Sequence, residues 1–470
     1  MRRRVLRSPL EAWIEPSTAF SALATDAGAA FWLDSGVAAT DGVSHLGIAD
    51  RVVTASATGV LEIDGEQREG DIFEFLAGEL EAAALPEGEA SGFQLGWVGW
   101  FGYELHTRTM TRQHPVPSRP SRYPDAAWLE VGRALEFDHA TRTVTLLALG
   151  DGWNGELADW RDTVLATLAT APPVVAPAPG AAPQARWRYS DERYLGMIRS
   201  CQEAIEAGDA YQLCLTTEAE VDIRPAPLDA YLALREASPS HHGALLIVGE
   251  VALLSSSPER FLSVSPSGEI ESKPIKGTRP RGTTPEGDAR LRSELLASEK
   301  ERAENLMIVD LMRNDIARVS EIGSVSVPSL LAVESYAQVH QLVSTVRGRL
   351  AAGLRPLDAV AACFPAGSMT GAPKSSAVEI LDGLEQRPRG VYSGAFGYLG
   401  LDGRIDLAMV IRSIVLDGSG ATVGAGGGIT ALSVPEEELE EVRLKAAVLL
   451  RVLGVRPPSR GHSPSSSQSR

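Results

Sequence analysis

Short runs of apolar and small residues, broken by Gly, Pro, Ser and Asp, recur along this chain and predict strands rather than long helices. Three follow one another after residue 243: Ala244-Leu-Leu-Ile-Val248, Val251-Ala-Leu-Leu-Ser255 and Arg260-Phe-Leu-Ser-Val-Ser265. A second strand-rich block runs from Gly390 to Ile429, where Asp402-Gly403 and Asp417-Gly418 sit between β-type runs as hairpin turns. Short turns imply antiparallel pairing. Between the blocks, Leu291, Leu295, Ala303, Leu306 and Met307 fall at helical spacing within 286–318. A last helix is announced by Ser433-Val-Pro-Glu436, a capping box with Pro in the first turn, leading into Leu439, Val442 and Leu449. The pattern is α+β with large antiparallel sheets.

Two composition shifts divide the chain. Residues 171–185 are rich in Pro and Ala, which favours extended backbone, so 171–188 is expected to be a linker or long loop. Residues 455–470 carry no apolar face and are expected to be disordered. An N-terminal region (1–170) and a second region (189–454) remain. A length of 470 residues with 44% hydrophobic and 22% charged positions excludes fibrous and disordered classes. Forty-four Lys and Arg against 61 Asp and Glu give a net charge of −17, a poor match to nucleic acid. A small anionic substrate would need a few local cations or a metal. Cys201, Cys214 and Cys363 show no metal or disulfide spacing. Arg7, Pro9 and Glu11 break the N-terminus as a signal peptide, and no apolar run approaches the roughly 20 residues of a membrane span. A cytoplasmic protein is expected.

Lys276, in Lys273-Pro-Ile-Lys-Gly-Thr-Arg-Pro-Arg-Gly282, is placed at a strand end before a Gly-containing turn. Partial burial or the neighbouring Lys273, Arg279 and Arg281 would favour its neutral, nucleophilic form, and a solvated basic turn is the plainer alternative. Glu301 and Glu304, and Glu438 and Glu441, are i,i+3 pairs, each sharing a helix face. Such pairs repel by roughly 0.2 to 0.5 kcal/mol in water. A divalent cation reverses that sign, and an all-oxygen ligand set points to Mg²⁺. The alternative is a solvated acidic face balanced by Lys300, Arg302, Arg443 and Lys445. The glycine-rich segments 364–374 and 424–429 match neither nucleotide fingerprint.

Seven segments in order resemble the chorismate-utilising enzymes, the family of anthranilate, aminodeoxychorismate, isochorismate and salicylate synthases. They are Gly208-Asp-Ala-Tyr-Gln-Leu213, Ser257-Pro-Glu-Arg-Phe261, Pro274 to Gly282, Glu304 to Asp315, Phe364 to Lys374, Ala425 to Ile429 and Glu441-Val-Arg-Leu-Lys445. The resemblance covers 189–454 and, more loosely, the N-terminal region, where Phe31-Trp-Leu-Asp-Ser35 looks like the family's first strand. It implies a β-sandwich-like core with helices outside. Gln212 stands where the water-adding members carry a lysine, Lys276 where anthranilate synthases usually carry alanine, and Gln341, not the adjacent His340, directly before Leu342-Val-Ser344.

By this resemblance Lys276 is the nucleophile and Glu259 the acid, with an ion pair to Arg260 as the alternative role for Glu259. Thr278, Ser368, Tyr392, Arg412, Gly426, Gly427, Gly428, Lys445 and Gln212 are implied to bind chorismate. Glu304 and Glu441, supported by Glu301 and Glu438, are implied to hold Mg²⁺. The implied activity is amination of chorismate to 4-amino-4-deoxychorismate on the way to p-aminobenzoate and folate, a reaction classed with the transaminases. No Gly-x-Cys-x-Gly segment is present, so a separate glutamine amidotransferase subunit is expected to supply ammonia. An anthranilate synthase component I and a non-catalytic chorismate-binding protein are the rival readings. Ser35, a loop around Val43 to Leu46 including Ser44, and His242 in Pro239-Ser-His-His-Gly243 are placed at a vestigial tryptophan pocket.

Overall fold

The computed structural model describes residues 3–37, 39–85, 92–110, 119–174, 183–336 and 339–456. They build two twelve-stranded sheets with helices on the outer faces, an α+β fold. Period-two alternation decides which side chain enters which layer. In Val251–Ser257, Ala252 and Leu254 pack under helices while Leu253 faces the other sheet. In Gly96–Phe101, Trp97 and Phe101 face outward and Val98 and Trp100 inward. Phe31, Trp100, Leu246 and Phe396 meet in the layer between the sheets. Both faces of the central strands are therefore apolar, which is why they read as continuous hydrophobic runs.

Helices Asp191–Glu206, Pro227–Ala237 and Pro435–Val452 cover the first sheet, and Ile72–Ala82, Glu299–Ala317 and Pro356–Cys363 the second. The two chain regions are interleaved within both sheets. Ala29–Asp34 pairs antiparallel with His242–Val248, and Gly96–Phe101 with Ala395–Gly400. Both expected hairpins form, at Asp402-Gly403 and at Asp417-Gly418.

Several local expectations are corrected. Within 171–188, Ala185–Trp187 is a short strand on the edge of Gln212–Val221, and 175–182 lie outside the described residues. The expectation for the 455–470 tail is not among these corrections, since 457–470 lie outside the described residues. The helical stretch 286–318 is two helices, Pro285–Ala297 and Glu299–Ala317, because Ser298 is extended. The second buries Asn305, Ile308, Val309, Met312 and Ile316, leaving Ala303 and Leu306 exposed. Apolar counting missed this stripe because a polar residue anchors it. Asn305 Nδ2 donates to the carbonyls of Pro274 and Leu342 (both 3.3 Å), and its Oδ1 accepts from Ser344 Oγ (2.6 Å). The last helix has no side-chain cap at its start; Ser433 Oγ instead donates to Glu438 (2.7 Å). Among the described residues, no helix is long and apolar enough to cross a membrane.

Candidate active site

A cavity of about 640 Å³ opens where strand ends, two helices and the glycine run converge. It brings together Lys276, Glu259, Thr278, Ser368, Tyr392 and Arg412 with Gly426 to Gly428, Lys445 and the carboxylates of Glu301, Glu304, Glu438 and Glu441. Segments more than 180 residues apart in sequence thus form one surface.

Lys276 sits on a β-bulge inside a strand, not at a strand end before a turn. Strand Ile275–Pro280 pairs with Val339–Arg349, but the register shifts between Ile275 and Thr278. A bulge re-aims the side chains it carries. Gly277 makes it possible: its φ is +81°, and a Cβ there would lie 2.7 Å from the Glu301 carboxylate. The neighbouring cations do not crowd Lys276 as expected. Lys273 pairs with Glu334 (3.0 Å), Arg279 with Glu301 (2.8 Å) and Arg281 with Asp288 (2.8 Å). The charges that Lys276 faces are carboxylates: its ammonium lowers Glu259 and Glu304 electrostatically.

Glu259 is not paired with Arg260, whose guanidinium binds Asp406 (3.0 and 3.1 Å) and Glu271 (3.4 Å) on the far side of the strand. Burial pushes the Glu259 carboxyl up to about 7, against the lowering effects of Lys276, the Ile275 amide and the Ser368 hydroxyl. A carboxyl at that value is protonated often enough near neutrality to give a proton away. Its backbone is fixed, since the Met409 amide donates to its carbonyl at 3.0 Å.

Strand Ser413–Asp417 pairs with the glycine strand only as far as Val423, so beyond that point one edge of 424–429 has no strand beside it. Tyr392 lies flat against this run, and a Cβ on Gly424 would fall 2.2 Å from its ring. Arg412 holds a left-handed backbone at φ +51°. Burial lowers its pKa despite the opposing influence of Tyr392 and Glu441, and its guanidinium makes no hydrogen bond or salt bridge among the described residues. A desolvated, uncommitted guanidinium suits a carboxylate. Lys445 is more committed than expected, with Nζ 2.7 Å from Glu441 and donating to the Gly426 carbonyl at 2.9 Å. Gln212 lies beside the cavity rather than in its lining; its amide covers Gly428 and its buried Oε1 has no hydrogen-bond partner among the described residues.

The two carboxylate helices meet across the cavity. Burial raises Glu304, and Glu438 and Glu441 raise it further against Lys276 and Lys300. Burial also acts to raise Glu441, but Lys445, Lys300 and Lys276 together outweigh it and hold the carboxyl low. Glu301 Oε2 is buried without a hydrogen bond, and Lys300 Nζ stands 3.9 Å from Glu438. Lys300, exposed to solvent, also lines the rim of this wall, and its i,i+4 relation to Glu304 was the available signal. An orphaned carboxylate oxygen among mutually repelling acids fits a hard cation. Among the described residues no three acidic, His or Cys side chains converge on one point, so such an ion would need substrate and water ligands as well.

A second cavity of about 460 Å³ shares Pro258, Ile275 and Gln341 with the first. Ser35 and His242 line it, and burial pushes the His242 imidazole down to about 4. Ser44 does not line it. It lies in the strand Val43–Ile48 rather than a loop, buried, with Oγ 2.8 Å from His139 and accepting from the Ser35 amide at 3.0 Å. Gln341 faces the main cavity. Its neighbour His340 points the opposite way, Nδ1 2.8 Å from Ser335 Oγ and Nε2 2.9 Å from Asp288, as alternation along a strand requires.

The sequence matches the chorismate binding enzymes over residues 28–451, and the chain belongs to that family. It is 43% identical to aminodeoxychorismate synthase of Streptomyces griseus over 98% of this chain and 65% of that protein. It is 38% identical to anthranilate synthase component 1 of Thermus thermophilus, over 93% of this chain and 95% of that one. The chain thus spans just under two thirds of the length of the Streptomyces relative. Among solved structures, anthranilate synthase component I of Streptococcus pneumoniae matches with a TM-score of 0.76 at 29% identity, covering 88% of this chain and 93% of that one. The menaquinone-specific isochorismate synthase of Escherichia coli shares the fold, with a TM-score of 0.69 at 18% identity over 96% and 95%.

Proposed function

We propose that the chain aminates chorismate to 4-amino-4-deoxychorismate, as the aminodeoxychorismate synthase relatives are named for doing, with ammonia supplied by a glutamine amidotransferase partner. The observation that carries this reading is the pairing of Lys276 with a carboxyl, Glu259, pushed up to about 7 in the same cavity. The Lys276 amine attacks C2 of the substrate, both conjugated ring double bonds shift by one place, and the C4–O bond breaks as Glu259 gives its proton to the departing hydroxyl, releasing water. Ammonia then attacks C4, both double bonds shift back, and the C2–N bond to Lys276 breaks, freeing the lysine amine. Glu259 takes back the proton that the new amine loses. Atoms and charge balance over the cycle.

Arg412 and the open edge of the glycine strand are suited to one substrate carboxylate. Mg²⁺ on Glu304 and Glu441, with Glu301 and Glu438 in support, would supply positive charge for the other. Gln341 supports amination over the rival loss of pyruvate, because the imidazole at position 340 is turned away and held by Asp288 and Ser335. The three buried free cysteines suit a reducing cytoplasm. The test is incubation with chorismate, Mg²⁺ and an ammonium salt, with and without an added aminodeoxychorismate lyase. p-Aminobenzoate formed only with the lyase supports the reading; anthranilate formed without it would establish the rival.

A further inference from the structure

Behind the cavity, outside its lining, a buried arginine ties three of its walls together. Arg389 is 4% exposed, and all five of its N–H donors are engaged. Nε and one Nη2 hydrogen go to the two Glu385 oxygens (2.9 and 2.8 Å), and the second Nη2 hydrogen goes to the Cys214 carbonyl (2.9 Å). Nη1 donates to the Met369 carbonyl (2.7 Å) and to Ser393 Oγ (3.4 Å). The guanidinium face lies 4.3 Å from the Tyr103 ring centroid, and Glu385 Oε1 is itself held by the Thr216 amide and hydroxyl (2.9 and 3.0 Å). Cys214 and Met369 line the cavity, and Ser393 follows Tyr392, which lines it too.

We propose that Arg389 is a positioning residue: its planar fork fixes the Gly367–Met369 turn, the strand carrying Cys214 and the segment carrying Tyr392, and so aims Ser368 at the acid Glu259. The inference rests on the amination reading. Lysine has the charge but a single point of donation and no plane, so it cannot span the same acceptors. The turn is short and bears Ser368 directly before the residue that Arg389 grips. Its other hydrogen bonds are local or run through Thr370, and the Arg389 bond is the side-chain tie on the Met369 carbonyl.

The test compares Arg389→Lys and the double variant Arg389→Met/Glu385→Gln with wild type, reading kcat, KM for chorismate, the pH profile of kcat and the melting temperature. A displacement of about 1 Å in an aligned site costs on the order of a hundredfold. The expected result for Arg389→Lys is therefore a kcat lower by about that factor with KM within about threefold. The high-pH limb should also move upward, since Glu259 loses the Ser368 bond that lowers it. The double variant, which leaves no unpaired buried charge, should melt near wild type and stay slow. Wild-type kcat in either variant, an unmoved limb, or failure of both variants to fold would overturn the proposal. Failure of the wild type to aminate chorismate would instead overturn the reading beneath it.

Discussion

Replacing Glu259 by glutamine should make the protein inactive and more stable at the same time. Burial lifts this carboxyl from 4.5 to about 7. Between those values the folded chain holds the proton and the unfolded chain has released it, so stability is lost as pH rises through that window. At about 1.4 kcal/mol for each tenfold change, the loss exceeds about 3 kcal/mol by pH 8. Glutamine has a similar shape and no proton to release. Relative to wild type it should be neutral at pH 4.5 and below, and stabilising by about 3 kcal/mol at pH 8. With an unfolding entropy of about 2 cal/mol/K per residue, that is a rise of about 3 °C in Tm for a chain of this length. Amination with ammonium should fall by about 10²- to 10⁴-fold, the usual contribution of a positioned acid. Calorimetric scans at pH 4.5 and 8 together with product formation read both arms. A variant that gains no Tm between the two pH values, or that keeps the wild-type rate, would refute the account of Glu259 as a buried, proton-holding acid.

Lys276→Ala should lower amination by about 10³ or more while chorismate still quenches or shifts the intrinsic fluorescence, because Arg412 and Lys445 are untouched. Product at the wild-type rate would remove the covalent step. Glu304→Gln and Glu441→Gln should each weaken Mg²⁺ binding by at least about tenfold in a metal titration, and excess chelator should stop turnover; full activity in chelator would contradict the carboxylate assignment. Titration calorimetry with free tryptophan should show no tight binding, since imidazoles that must keep hydrogen-bond partners replace an apolar wall at His241 and His242. Micromolar or tighter binding would falsify that expectation and favour the anthranilate synthase reading.

The strands around 244–264 and the two hairpins were legible because both faces of those strands are buried and the turns carry the residues that turns need. The interleaving of the two regions was not, since pairing such as Ala29–Asp34 with His242–Val248 leaves no local trace. Local pattern also misplaced Lys276. A Lys-Gly pair before Thr reads as a turn, and only the partner strand reveals a bulge that swings the lysine into the cavity. The alternative ion pair of Glu259 with Arg260 does not form, because adjacent residues of extended chain point to opposite sides, and there Asp406 and Glu271 hold the guanidinium. The carboxylate pairs were visible as spacing. Their convergence depended on Asn305 turning its helix, which no count of apolar residues can report.

The shared sheets also set the order in which a newly made chain can fold. When Ala29–Asp34 leaves the ribosome, the strand that will lie beside it is still roughly 200 residues away, some 10 to 40 seconds of synthesis. Gly96–Phe101, with the apolar sequence Gly-Trp-Val-Gly-Trp-Phe, waits longer for Ala395–Gly400. Through that interval two sheet edges rich in aromatic residues stand open, the kind of surface that pairs with a neighbouring nascent chain or is shielded by a chaperone. Slow decoding between the two regions would lengthen the exposure, so yield in a recombinant host should depend on elongation speed and temperature even where the finished enzyme is stable.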